Sequence, residues 1–152
     1  MKKILSTAVL AAIATFAVAP AAFACDDHDE GTTAAVNPIQ EFSVAQLSQK
    51  LSDSKNKKSV VAVFDANSEK TRKEMGIIPT AILLPSSSEY DLKLLPQDKA
   101  APVVFYCASE KCGASHTAAE RAAKAGYTQV GVMKAGIKGW VAAGYATQKT
   151  LS

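Results

Sequence analysis

Two cysteines, Cys107 and Cys112, stand with four residues between them in a short polar stretch. Between them lie Ala108, Ser109, Glu110 and Lys111, and after them come Gly113, Ala114, Ser115 and His116. A cysteine sulfur acts as a nucleophile or metal ligand in its thiolate form, so its surroundings decide its use. Three chemistries fit this spacing. One is nucleophilic capture of a group at Cys107, and a second is a redox pair in which Cys112 resolves or regulates Cys107. A third is soft-metal binding by Cys107, Cys112, His116 and Met133. Against all three stands plain packing, because cysteine is among the most buried residue types.

The elements around the pair favour the nucleophile. Val103–Tyr106 is an apolar run introduced by Pro102 and reads as a buried strand. Thr117 and Glu120 have the spacing of a capping box, with Ser115 as a rival cap. They predict a helix from Thr117 to Ala125, which Gly126 ends with a left-handed residue. Cys107 then sits where a strand hands over to a helix amino end. Free N–H groups and the helix dipole favour an anion there. Amides from Ala108 to Gly113 are positioned by this reading to hold a sulfur anion.

The rest of the chain alternates strands and helices. Ser43 and Gln46 form a capping box, and Val44, Leu47 and Leu51 share one face of the helix they open. Ser59–Asp65 reads as a buried strand of a parallel sheet, with Asp65 at its carboxyl end. A short charged helix follows from Ser68 to Met75, ended by Gly76. Ile78–Pro85 holds a short strand, and Ser86–Leu95 a short helix ended by Pro96. Gln129–Met133 gives a further strand and Gly136–Ala143 a last helix, whose Trp140 belongs in the core. This alternation predicts an α/β domain with a mostly parallel central sheet and helices on both faces. Sites in such sheets lie beyond the carboxyl ends of the strands, where Asp65 and Cys107 both fall.

The amino-terminal segment has another purpose. Met1-Lys2-Lys3 precedes an apolar stretch from Ile4 to Val18, and Ala22-Phe23-Ala24 is a small-x-small cleavage pattern. Residues 1–24 therefore read as a bacterial-type export signal, which places the mature chain in the periplasm without a membrane span. Cys25 becomes the first mature residue. The leucine usual three places before a lipid-carrying cysteine is missing, so simple cleavage is favoured over a lipid anchor. Residues 25–41, rich in acidic residues, read as a disordered lead-in, and Cys25 with His28 lacks the fixed geometry of a metal site. The domain is expected over 42–145, with a tail over 146–152.

Charge and size narrow the partners. The chain of 152 residues has 17 basic and 14 acidic side chains. Removing residues 1–24 takes Lys2 and Lys3 and leaves 15 against 14 in 128 residues. Near-neutrality argues against nucleic acid as a partner. Three cysteines are too few for a disulfide-stapled miniature fold, and the length suffices for one proper core.

Four segments together resemble the rhodanese-like domain family. Val63-Phe64-Asp65-Ala66-Asn67 is similar to its strand ending in Asp-x-Arg, and Gly76-Ile77-Ile78-Pro79-Thr80-Ala81 to its Gly-His-Ile-Pro-Gly-Ala motif. Val103–Cys107 matches the strand that delivers the active cysteine. Gly126-Tyr127 through Val132, followed by Lys134-Ala135-Gly136-Ile137-Lys138-Gly139-Trp140, resembles the closing Gly-Tyr…Gly-Gly-Ile-x-x-Trp signature. The resemblance covers about Phe42 to Tyr145. It implies sulfur transfer: Cys107 takes sulfane sulfur from a small donor, becomes a persulfide and passes the outer sulfur to a thiol or cyanide-like acceptor. No cofactor or metal is implied, and a thiol reductant protein is a possible partner. Ala108, Ser109, Glu110, Lys111, Gly113, Ala114 and Ser115 form the substrate loop, with Asp65 and His116 in support.

The departures from the pattern concern charge. No arginine follows the cysteine in the loop, where Lys111 is the nearest cation. Lysine is a point charge without arginine's planar fork for oxyanions. Asn67 stands in place of the Asp-x-Arg arginine and Ile77 in place of the Gly-His histidine. These changes weaken a thiosulfate-directed activity. They leave open a thiol–disulfide redox protein built on Cys107 and Cys112, or a non-catalytic module binding sulfur or a soft metal.

Overall fold

A computed structural model of the chain describes residues 37–56 and 60–149. The expected export signal, Cys25, His28 and most of the lead-in lie outside the described residues. In chain order the elements are β1 (Gln40–Glu41), α1 (Val44–Lys55), β2 (Ala62–Asp65), α2 (Glu69–Met75), β3 (Ile82–Leu83), β4 (Val103–Tyr106), α3 (Ala114–Lys124), β5 (Val130–Met133) and α4 (Gly136–Ala142). The five strands form one sheet in the order β1-β5-β4-β2-β3, and every pairing is parallel.

The sheet is covered on both faces, which is why its central strands read as continuous apolar runs. On one face Phe64, Phe105, Val103, Val130 and Val132 pack against Ala118, Ala119, Ala122 and Ala123 of α3, with Tyr90 and Leu95. Phe64 and Phe105 stack at 5.1 Å between ring centres. On the other face Val63, Val104, Tyr106 and Met133 pack against Leu47 of α1 and Ile137 and Trp140 of α4. Alternation of side chains along a strand thus sends Tyr106 to one face and Phe105, with Cys107, to the other. Trp140 is buried in the core, as expected from its sequence neighbours.

Local chemistry sets most boundaries. Both halves of the Ser43–Gln46 capping box form, at 3.2 and 2.8 Å. Ser68 caps α2 and Gly76 ends it with φ +76°. One expectation is corrected. Ser86–Leu95 is not a helix: only a 3-10 turn at Leu92–Leu94 forms, because Asp91 caps it and the chain turns extended at Leu95 before Pro96. The short strand expected within Ile78–Pro85 forms at Ile82–Leu83. The sheet also begins two residues before Phe42, where Gln40 and Glu41 pair with Gly131 and Val132. Finally, the segment after Tyr145 is tied down as far as Gln148. Gln148 bridges Ile77 in antiparallel fashion, and Ala146 O accepts from the Trp140 indole at 2.9 Å.

Candidate active site at the Cys107–Ser115 loop

Cys107 follows β4 directly, at the carboxyl edge of the sheet's middle strand, and is 1% exposed. Its carbonyl accepts from Ile137 N–H at 2.8 Å, and that of Ala108 from Lys138 N–H at 3.1 Å. The free amides at the start of α4 therefore anchor the first half of the loop. Gly136 makes this approach possible. Its φ is +62°, and a Cβ there would fall 2.5 Å from Cys107 O and 2.6 Å from both Ala108 C and Ser109 N. Beyond the anchor the chain turns sharply, with Cys112 N–H donating to Ser109 O at 2.9 Å.

The helix after the loop starts three residues earlier than the capping pattern predicts. It begins at Ala114 on Gly113, and no side chain caps it. The candidate caps are occupied elsewhere. Ser115 Oγ lies 3.4 Å from Cys107 Sγ, Thr117 Oγ1 donates to Gly113 O at 3.3 Å, and Glu120 meets His116 at 3.3 Å. Gly126, with φ +92°, ends the helical segment as expected. Cys107 thus lies at the amino end of α3, with the buried Ser115 as its side-chain partner.

The loop's polarity differs from the expected amide cradle. The Cys107 thiol donates to Cys112 O at 3.0 Å, with Ser109 O at 3.8 Å, so carbonyls face this sulfur. Burial pushes the Cys107 thiol above its ordinary pKa, and the nearby Cys112 sulfur adds to the rise, while the Ser115 hydroxyl and N–H oppose it. At the partly exposed Cys112, burial again disfavours the charged form. There, however, the Cys107 thiol and the amides of Ala108 and Ala114 outweigh it and bring Cys112 below the usual thiol range. The amides expected at Cys107 are spent on Cys112. Both cysteines are free thiols.

Asp65 is at its predicted strand end but faces away from Cys107. It pairs in register with Tyr106, so both side chains point to the opposite face of the sheet. The fully buried carboxylate accepts from Tyr106 Oη at 2.5 Å, from Asn67 N–H at 2.7 Å and from Arg72 Nε at 3.2 Å. Arg72 also donates to the carbonyls of Asp65 and Leu84, and Tyr106 Oη accepts from Ile78 N–H at 3.0 Å. This network clamps β2, β3 and β4 beneath the loop. No local sequence pattern marks Arg72 or Tyr106, although a tyrosine in a buried strand needs a partner for its hydroxyl. The Asn67 amide is buried with no hydrogen-bond partner among the described residues.

Of the other loop candidates, Ala108, Ser109 and Ala114 bring backbone groups to the two sulfurs. Glu110, Lys111 and Gly113 are exposed, and Ala108, Ser109 and Ala114 partly buried. His116 is exposed and paired with Glu120. Met133 is buried on the face opposite Cys107, which removes it from the suggested soft-metal set. Among the described residues, no group of three His, Cys, Asp or Glu side chains could hold a metal ion, and no helix is long and apolar enough to cross a membrane.

A strand ending on a cysteine, a tight loop and a helix aimed back at the sulfur define a class of site. The model of the rhodanese-like domain matches residues 43–143, and the chain belongs to this family. Solved structures share the fold. A Bacillus halodurans protein is 24% identical, with a TM-score of 0.59 over 74% of this chain and 78% of its own. A rhodanese-related protein from Thermoplasma volcanium is 23% identical, with a TM-score of 0.55 over 70% and 95%. Thiosulfate sulfurtransferase from Pseudomonas aeruginosa is 19% identical, with a TM-score of 0.59 over 75% of this chain and 21% of that longer one. No curated protein matches the chain.

Proposed function

We propose that the protein is an exported sulfurtransferase that carries sulfane sulfur as a persulfide on Cys107. The observation behind this reading is the placement of Cys107 at the foot of α3, with Ser115 Oγ 3.4 Å from its sulfur. Cys107 gives up its proton to water and, as a thiolate, attacks the donor's sulfane sulfur. The donor leaves as its sulfur-free anion. The Ser115 hydroxyl and N–H and the α3 dipole then favour the sulfur anion.

Access limits the substrates. Cys107 is 1% exposed, so only a small sulfur-bearing end group reaches it, once the carbonyls of Ser109 and Cys112 swing aside. The exposed Lys111 is the one cation within the loop. This weak charge supports thiol-borne or otherwise weakly anionic donors over thiosulfate, and a thiol or cyanide-like ion as acceptor. The first 24 residues supply the reading of export to the periplasm, by their basic start, apolar stretch and cleavage pattern.

The test is mass spectrometry of the reduced mature protein after brief exposure to a sulfane donor. Wild type should transfer sulfur to cyanide and Cys107→Ser should not. Uptake of sulfur by Cys107→Ser would end this reading. A redox role for the cysteine pair would then take first place.

A further inference from the structure

We propose that the protein has a second outlet for its sulfur: Cys112 attacks the Cys107 persulfide from inside the loop and releases sulfide, leaving a Cys107–Cys112 disulfide. This inference rests on the Cys107 persulfide reading. A persulfide has two electrophilic positions, and burial assigns them to different attackers. The inner sulfur is Cys107 Sγ, held at the end of β4 with 1% exposure. An acceptor in solution meets the outer sulfur first and takes it away as sulfane sulfur.

Cys112 lies in the same loop, close to Cys107. The turn closed by Cys112 N–H and Ser109 O, 2.9 Å apart, folds Cys112 back over β4, and its own carbonyl lies 3.0 Å from Cys107 Sγ. The two sulfurs are close enough for each to alter the other's acidity. The inner sulfur is thus within reach of an internal nucleophile while shielded from external ones. Cys112 is also the better thiolate, since the amides of Ala108 and Ala114 hold its charge, and thiol exchange runs fastest when the attacking thiol titrates near the ambient pH.

The step balances without an added oxidant. The Cys112 thiolate forms a bond to Cys107 Sγ, the bond from Sγ to the outer sulfur breaks, and that sulfur departs with the electron pair as hydrosulfide. The sulfane sulfur is reduced, and the two cysteine thiols are oxidised to a disulfide. A thiol reductant must then restore the pair before another turnover. External acceptors and the internal thiol therefore compete for one intermediate. Abundant acceptor yields transfer, and scarce acceptor yields sulfide and a locked disulfide.

The experiment is a single turnover of the reduced protein with a stoichiometric amount of thiosulfate or 3-mercaptopyruvate, without cyanide or free thiol. Released sulfide and protein mass are followed together. Wild type should release about one sulfide per protein and become two hydrogens lighter. Cys112→Ser should release at least tenfold less sulfide and stay one sulfur heavier, and Cys112→Ala, which keeps no polar atom there, should behave alike. Wild type that keeps the extra sulfur and releases no sulfide would overturn the inference and leave the Cys107 reading standing. So would a Cys112→Ser protein that releases sulfide as fast as wild type. Absence of a persulfide in all three proteins with both donors would overturn both.

Discussion

Replacing Gly136 by alanine tests whether α4 sets the position of the reactive loop. The new Cβ would sit 2.5–2.6 Å from Cys107 O, Ala108 C and Ser109 N, where carbon contacts settle near about 3.5 Å. Relief requires roughly 1 Å of separation between α4 and the loop. That movement would stretch the bonds from Ile137 N–H to Cys107 O and from Lys138 N–H to Ala108 O, now 2.8 and 3.1 Å. Two costs are expected: about 1–2 kcal/mol for a side chain at φ +62°, and about 1–3 kcal/mol for overpacking. Gly144→Ala separates them, because Gly144 has φ +81° and no atom within 4 Å of its would-be Cβ. Chemical denaturation should show a loss of about 2–5 kcal/mol for Gly136→Ala and about 1–2 kcal/mol for Gly144→Ala. A displacement of about 1 Å costs roughly 100-fold in a positioned reaction, so persulfide formation should slow by 10- to 100-fold in Gly136→Ala alone. Equal stability and equal rates in the two variants would refute the argument that this contact positions Cys107.

Other expectations follow from the same geometry. Iodoacetamide should label Cys112 before Cys107, and at a pH below the ordinary thiol range, because Cys112 is lowered and Cys107 raised; peptide mapping across a pH series reads the order. Asp65→Ala should cost about 3–5 kcal/mol in denaturant, since it strands the guanidinium of Arg72 and leaves Tyr106 Oη without its acceptor. Burial pushes the fully buried Tyr90 up to about 12, so folding gains on the order of 2–3 kcal/mol from it below pH 10. That stability is complete below the unfolded pKa of about 10 and is lost as pH rises toward 12. Tyr90→Phe should therefore flatten the alkaline limb of the stability curve.

Where a single residue type settles a local question, the sequence is a good guide. Ser43 with Gln46 opens α1, Gly76 and Gly126 end helical segments, and continuous apolar runs mark β2, β4 and β5. The alternation of these elements gives the parallel sheet and sets Cys107 at a strand end. The start of α3 is different, because Ser115 and Thr117 each have two possible partners. Tertiary packing decides it by giving Ser115 to Cys107, and Thr117 then donates one turn back to Gly113 O. Loop polarity is illegible for a related reason: every residue from Ala108 to Gly113 carries both an amide and a carbonyl, and only the turn determines which faces a sulfur. The two-residue strand β1 has no side-chain periodicity to reveal it and exists through pairing with β5. The Asp65–Arg72–Tyr106 network joins three elements across sequence separations that no local pattern spans.

The central claim is that sulfur is taken up on Cys107. Trypsin cuts at Lys99, Lys111 and Arg121, which places Cys107 in the peptide 100–111 and Cys112 in 112–121. Reduced protein, mixed briefly with a sulfane donor and quenched with an alkylating agent, should carry the additional sulfur on peptide 100–111. Additional sulfur found only on peptide 112–121, or on neither while the two peptides remain unlinked by a disulfide, would contradict the account.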